Sequence, residues 1–179
     1  MPKWKFIEDE LIAATIRGAL GRGYVYSDPQ DTSNPKRKEL QKSLTLLLRD
    51  LASQYANSVN DQQHKENIQR IAKELTGNFE KDGLLRENKF RIGTAQKALN
   101  LFLKYLWCLN KVPTPPHCPF DDRIIGKLPL SERQKKELKL KWTQLDSLDG
   151  YQTLVDAALK VKTDAYPSLS DWELEQWSK

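Results

Sequence analysis

Two cysteines, two histidines and one methionine in 179 residues leave little material for metal or redox chemistry. Cys108 and Cys118 are too few for a disulfide scaffold and read as reduced thiols of a cytosolic protein. His64, Cys108, His117 and Cys118 have no metal-ligand spacing, and there is no four-cysteine iron–sulfur pattern, so neither metal nor cofactor is expected. Long apolar runs are missing too. The greasiest stretch, Leu99 to Leu109, is too short to span a bilayer and is broken by Asn100 and Lys104. The first residues carry no apolar signal segment, which makes the cytoplasm the expected compartment. A P-loop, a dinucleotide fingerprint, an HExxH pair and a Ser-His-Asp arrangement are all absent, which removes the common nucleotide and hydrolase classes. No stretch alternates convincingly with period two, and no repeat or low-complexity tract is present.

What is present is helical. Hydrophobic residues at 39% and charged residues at 30% fit one soluble domain, and period counting gives an all-α bundle of about eight helices, compact or divided into two lobes about a cleft. The first helix is predicted over 6–20, ended by Gly21, and a loop punctuated by Gly23, Pro29, Asn34 and Pro35 follows over 21–38. A second helix is predicted over 39–55. A third is capped by Asp61, carries Ile68, Ile71, Ala72 and Leu75, and stops at Gly77; a turn of helix at Leu84–Leu85 comes next. Late in the chain, Ser131 with Gln134 opens a basic helix over 132–142. Two more helices follow, over 150–161 and from Ser168 or Ser170, the latter bearing Trp172 and Trp177. The formal charge is +5, and Gly126 to Lys141 holds six cations against two acids, so a polyanionic partner is plausible.

The stretch from Arg91 to Leu128 has the most organisation. Gly93 offers a positive-φ turn and Thr94 a cap for a helix whose Ala95, Ala98, Leu99, Phe102, Leu103, Leu106 and Leu109 share one face. Lys97, Asn100 and Lys104 gather on the other, expected to be free for polar work. Pro113, Pro115, Pro116 and Pro119 then forbid helix until Asp121–Asp122, after which Ile124, Ile125 and Leu128 resume an apolar stripe.

This layout resembles the core of the helix-hairpin-helix DNA glycosylases. The family's Gly-x-Gly-x-Lys run reads here as Gly93-Thr94-Ala95-Gln96-Lys97, and its Pro-apolar-Asp run as Pro119-Phe120-Asp121. The resemblance implies that Asp121, with Asp122 in reserve, is the carboxylate that stabilises positive charge on the sugar, and that Lys97 is a possible nucleophile. It also implies a double-stranded DNA partner with one nucleotide extruded, gripped through the backbone of Gly93, Thr94, Ala95 and Gln96. Arg123, Lys127, Lys135 and Lys136 are expected to touch phosphates. Tyr24, Tyr26, His117 and Phe120 are the candidates for a base pocket or wedge.

Each of these residues has a plainer role. Asp121 or Asp122 would serve as an ordinary helix N-cap, Lys97 as the wet side of an amphipathic helix, and the tyrosines as parts of a surface loop. Three functions therefore remain open: a monomeric DNA glycosylase, a non-catalytic helix-hairpin-helix module that binds DNA, and a helical protein-interaction domain.

Overall fold

The computed structural model describes residues 2–21, 24–137 and 141–179. Eight α-helices run through them: α1 (Pro2–Leu20), α2 (Pro35–Gln54), α3 (Asp61–Phe79), α4 (Ile92–Cys108), α5 (Asp122–Ile125), α6 (Glu132–Glu137), α7 (Leu148–Val161) and α8 (Leu169–Ser178). Short 3₁₀ turns lie at Arg86–Asn88 and Trp142–Gln144. Among the described residues there is no strand, only one antiparallel bridge between Tyr26 and Leu85. No described helix is long and apolar enough to cross a membrane.

The helix ends follow local chemistry. Pro35 begins α2 four residues earlier than predicted, because its fixed φ suits the first helical turn and the Asn34 side chain accepts from Lys36 N at 3.0 Å. Asn60 rather than Asp61 caps α3, accepting from Gln63 N at 2.8 Å. Gly77 does not stop that helix, which continues to Phe79. The turn expected at Leu84–Leu85 falls instead at Arg86–Asn88, since Leu85 is held extended by its bridge to Tyr26. The Ser131–Gln134 capping box is present, with reciprocal bonds of 2.9 and 3.2 Å. Of the basic helix predicted over 132–142, α6 covers the first six positions, 138–140 lie outside the described residues, and Trp142 opens a 3₁₀ turn. Ser168 caps α8, accepting from Asp171 N at 3.1 Å.

One hydrophobic core joins these helices, and α4 is its axis. It packs against α1, α2, α3, α7 and the Trp142 turn. Leu99, Phe102 and Leu103 are wholly buried, each contributing roughly 1.5–3 kcal/mol of apolar burial. A helix covered on so many sides has no wet face. Gln96, Lys97, Asn100 and Lys104 are therefore buried as well, contrary to the solvated side that their polarity suggested.

Candidate functional site

The polar residues of α4 are satisfied by an inward-facing network that sequence periodicity did not foresee. Gln96, fully buried, forms a two-point amide pair with the backbone of Phe120: its Nε2 donates to Phe120 O at 2.7 Å, and Phe120 N donates to its Oε1 at 3.2 Å. That clamp fixes the residue immediately before Asp121. One position along α4, Lys97 Nζ donates to Asp121 Oδ2 at 2.7 Å. Asp121 Oδ1 meanwhile accepts from Ile124 N at 3.1 Å, making Asp121 the N-cap of α5. The capping role that the sequence offered for Asp121 and an ion pair that it did not announce thus coexist on one carboxylate.

The pair is well sheltered, with side-chain exposures of 8% for Lys97 and 18% for Asp121. Burial pushes the Asp121 carboxyl upward, but the Lys97 ammonium and the backbone N–H groups of Ile124 and Arg123 override it and hold the group below its ordinary value. Asp121 is therefore an anion at neutral pH.

A second buried ion pair lies farther along the same helix face. Lys104 Nζ meets Glu173 Oε2 of α8 at 2.6 Å. Burial pushes the Glu173 carboxyl up, and the Lys104 ammonium opposes it only in part. The Cys118 thiol is also pushed well up by burial and by Glu173, so it is a neutral core group. Trp177 marks the rim, half exposed, with Lys104 Nζ 5.5 Å and the Arg123 guanidinium 5.2 Å from its ring centre.

On the other side of Gln96 the network reaches α3 and α7. Asn100 Nδ2 donates to Gln96 Oε1 at 3.2 Å and to the Tyr151 hydroxyl at 3.1 Å. Its Oδ1 then faces His64 Nε2 at 2.8 Å and must accept, which places the His64 proton on Nε2. His64 Nδ1 in turn accepts from the Tyr55 hydroxyl at 2.7 Å, and Asn67 Nδ2 donates to Tyr55 at 3.2 Å. The Tyr151 hydroxyl, accepting from Asn100, donates to His117 Nδ1 at 2.8 Å, and His117 Nε2 donates to Asp61 Oδ1 at 2.5 Å. One assignment of protons satisfies every member, with both imidazoles neutral. Burial agrees: it lowers His64 to about 3, and it lowers His117 despite the Asp61 carboxylate beside it.

Several residues expected to touch DNA are not at a surface. Gly93 is inside the first turn of α4, not at a positive-φ corner, and Arg91 rather than Thr94 holds the N-cap position. The Gly93 N–H donates to Leu145 O at 2.9 Å, and those of Thr94 and Ala95 donate to Arg91 O at 3.1 and 3.0 Å. Gly93, Thr94, Ala95 and Gln96 are all buried, so the expected phosphate grip at this turn is corrected: its amides already have partners inside the protein. Phe120 and His117 are likewise corrected as wedge residues, because Phe120 packs edge-on against Tyr151 and His117 is locked between Tyr151 and Asp61.

The remaining candidates are nearer solvent. Asp122 is exposed, as are Arg123, Lys127 and Lys136, while Lys135 is half-buried and paired with Glu132 at 2.8 Å. Lys127 Nζ donates to Gln176 O of α8 at 3.1 Å. Tyr24 is half-buried under the Arg86 guanidinium, 4.5 Å from its ring centre, and Tyr26 is buried. The structure thus brings Lys97 and Asp121 together and sets the tyrosines in a different neighbourhood.

Lys97, Asn100 and Lys104 stood in the sequence as a wet helix side, and Gln96 as a backbone donor. Their spacing at 96, 97, 100 and 104 is the one signal of a shared helical stripe. Comparison with known proteins adds no relative: no family model, no curated protein and no solved structure matches the chain.

Proposed function

We propose that the chain is a DNA glycosylase whose reaction centre is Asp121 supported by Lys97. The observation that carries this reading is the 2.7 Å contact between Lys97 Nζ and Asp121 Oδ2, made across 24 residues of sequence in a sheltered place. These are the two residues that match the lysine and the carboxylate of the glycosylases the sequence resembles. In the proposed reaction the bond between C1′ and the base nitrogen breaks with its electron pair leaving on the base, and positive charge grows on the sugar. A fixed carboxylate beside that charge lowers the barrier, because it costs no reorganisation at the moment of reaction. Water adds to C1′, Asp121 takes its proton, and the departing nitrogen acquires a proton from solvent.

Lys97 in this scheme holds Asp121 in its ionised, oriented form. An ammonium paired with a carboxylate is not the free amine a Schiff base requires, so the reaction is hydrolytic without a strand-cleaving step. Gln96 contributes by fixing the Phe120 backbone. The exposed cations Arg123, Lys127 and Lys136 supply sequence-independent attraction to the DNA backbone.

The test is mass spectrometry of free bases released from damaged and modified duplexes. Wild type should release a base, and Asp121→Asn should lower the rate about 10²- to 10⁴-fold while leaving salt-sensitive DNA binding intact. Salt-sensitive binding with no base released from any substrate would favour the second reading, a non-catalytic DNA-binding module, with its contacts made by Arg123, Lys127 and Lys136 because the amides of Gly93, Thr94 and Ala95 are bonded inside the protein. No DNA binding even at low salt would leave the helical interaction domain.

A further inference from the structure

The hydrogen bonds between Phe120 and Asp61 run in one direction, and that direction is set at the inner end. A peptide group cannot exchange its donor and acceptor, so Phe120 N must find an acceptor and Phe120 O a donor. Gln96 is thereby fixed, with Oε1 toward Phe120 N and Nε2 toward Phe120 O. Asn100 must then present Nδ2 to Gln96 Oε1 and to the Tyr151 hydroxyl, since turning its amide over would set two oxygens against each other. Burial pushes the Tyr151 phenol well up, so it keeps its hydrogen. Of its two partners, only His117 Nδ1 can accept that hydrogen.

His117 is where this series comes close to solvent. Its ring is 3% exposed, but the Asp61 side chain that accepts from Nε2 is 51% exposed. The titratable groups facing the ring are Asp61, Lys65 and His64 of α3 and Tyr151 of α7. Lys65 Nζ pairs with Asp61 at 2.7 Å, and the His64 ring centre is 4.8 Å from that of His117. From α8 the neutral Ser170 hydroxyl donates to His117 O at 3.2 Å and holds the backbone in place, and α4 acts on the ring through neutral Asn100 by way of Tyr151. Burial and Lys65 disfavour a charge on His117, while Asp61 favours it. His64, lowered to about 3, does not compete for the first proton.

We infer that the network is an acid-operated latch on the segment carrying Asp121: a proton arriving on His117 Nδ1 releases the clamp between Gln96 and Phe120. With Nδ1 protonated, Tyr151 must turn its hydrogen toward Asn100, whose Nδ2 already donates to it. Asn100 cannot turn over while Phe120 holds Gln96. Once the clamp opens, both amides turn over together: Asn100 Oδ1 accepts from Tyr151 and Gln96, and the Tyr151 oxygen accepts from His117 Nδ1. His64 moves its proton from Nε2 to Nδ1, the Tyr55 oxygen accepts it, and Asn67 turns to accept from the Tyr55 hydroxyl. The net gain is the one proton on His117, and the groups left to water are the N–H and C=O of Phe120. Asp121, next in the chain, then loses the fixed position from which it meets Lys97 and caps α5. The clamped form holds His117 below the ordinary 6.5 and the released form does not, so acid favours release progressively below that value.

Hydrogen exchange followed by NMR on the full chain tests the latch. As the pH falls through the His117 titration, the Phe120 amide should lose protection by up to about tenfold per pH unit, after correction for the intrinsic exchange rate. It should remain less protected than the amides of Leu44 and Leu48 in α2, which report unfolding of the whole core. Asp61→Asn removes the exposed charge that favours a charged ring, so the His117 midpoint and the loss of Phe120 protection should move down together by about 1 pH unit or more. Tyr151→Phe should raise the His117 midpoint and leave Phe120 protection independent of the charge on that ring. Phe120 protection that is constant across the His117 titration, or equal to that of Leu44 and Leu48 at every pH, would overturn the proposal. So would a response that Asp61→Asn leaves unaltered. The loss of base release expected in the same pH window rests on the glycosylase reading; release that is absent at every pH while the exchange response is intact would count against that reading and leave the latch standing.

Discussion

Gly93 and Gly77 sit in helices with opposite demands on a missing side chain. A Cβ at Gly93 would lie 1.6 Å from the Trp142 carbonyl oxygen, so only glycine lets α4 press against the 3₁₀ turn. At Gly77 a Cβ would meet nothing within 4 Å. Gly93→Ala should therefore cost at least about 3 kcal/mol, the upper range of overpacking, unless the turn is displaced. Gly77→Ala should gain about 0.5–1 kcal/mol from helix propensity alone. Urea unfolding of the two variants checks both signs. Lys97 and Asp121 allow a further comparison at this scale. Lys97→Met leaves a sheltered carboxylate unpaired and should cost about 3–5 kcal/mol, with Lys97→Met/Asp121→Asn less unstable than the two single losses added. Lys5→Met, which breaks an exposed pair with Asp9, should leave the urea midpoint unchanged.

At the scale of elements, α4 decides what sequence reasoning could and could not see. Its apolar positions recur at helical spacing, so its existence and its packing side were legible, as were the capping box at Ser131 and the α2 stripe through Leu40, Leu44, Leu47, Leu48 and Leu51. The fate of its polar side was not. Periodicity separates polar from apolar residues, but it cannot tell a face turned to water from one turned to other polar side chains. Gln96, Lys97, Asn100 and Lys104 look the same in either case; only the partners contributed by α3, α5, α7 and α8 distinguish them. Gly93 misled for a related reason. A glycine before a helix suggests a turn by its own backbone, whereas this one is required by the backbone of a segment 49 residues later, a contact with no local trace. Asn100 offers a test of the network that packs α3 and α7 on α4. Asn100→Leu leaves the His64 Nε2–H without its acceptor and the Tyr151 hydroxyl with His117 alone, and should be less stable than wild type by about 1–3 kcal/mol despite the apolar gain. A variant as stable as wild type would show that the network contributes no net stability.

For the whole molecule, the buried imidazoles set the response to acid. His64, lowered to about 3, and His117, also lowered, are held neutral in the fold, while in the unfolded chain they ionise near the ordinary 6.5. Their contribution is fully present above pH 6.5 and is lost as pH falls toward the folded-state values, at up to about 1.4 kcal/mol per pH unit for each ring. Asp61 and Asp121, both lowered, add a loss in the same direction below about pH 4. Urea midpoints should therefore fall steadily from pH 7 to pH 5, and His64→Gln, which has no proton to take up, should give a shallower slope. A flat wild-type profile would mean that the rings are solvated rather than enclosed.

The reaction proposed for the molecule turns on a fixed anion facing a sugar that becomes positive, and this can be measured without knowing which base is removed. Two duplexes serve, one bearing a cationic pyrrolidine in place of the sugar and one bearing the neutral tetrahydrofuran. Wild type should bind the cationic duplex on the order of a hundredfold more tightly, the signature of a site matched to the transition state, and Asp121→Asn should reduce that preference to near unity. Equal affinity of wild type for the two duplexes, or a preference that survives Asp121→Asn unaltered, would contradict the assignment of Asp121 as the catalytic carboxylate.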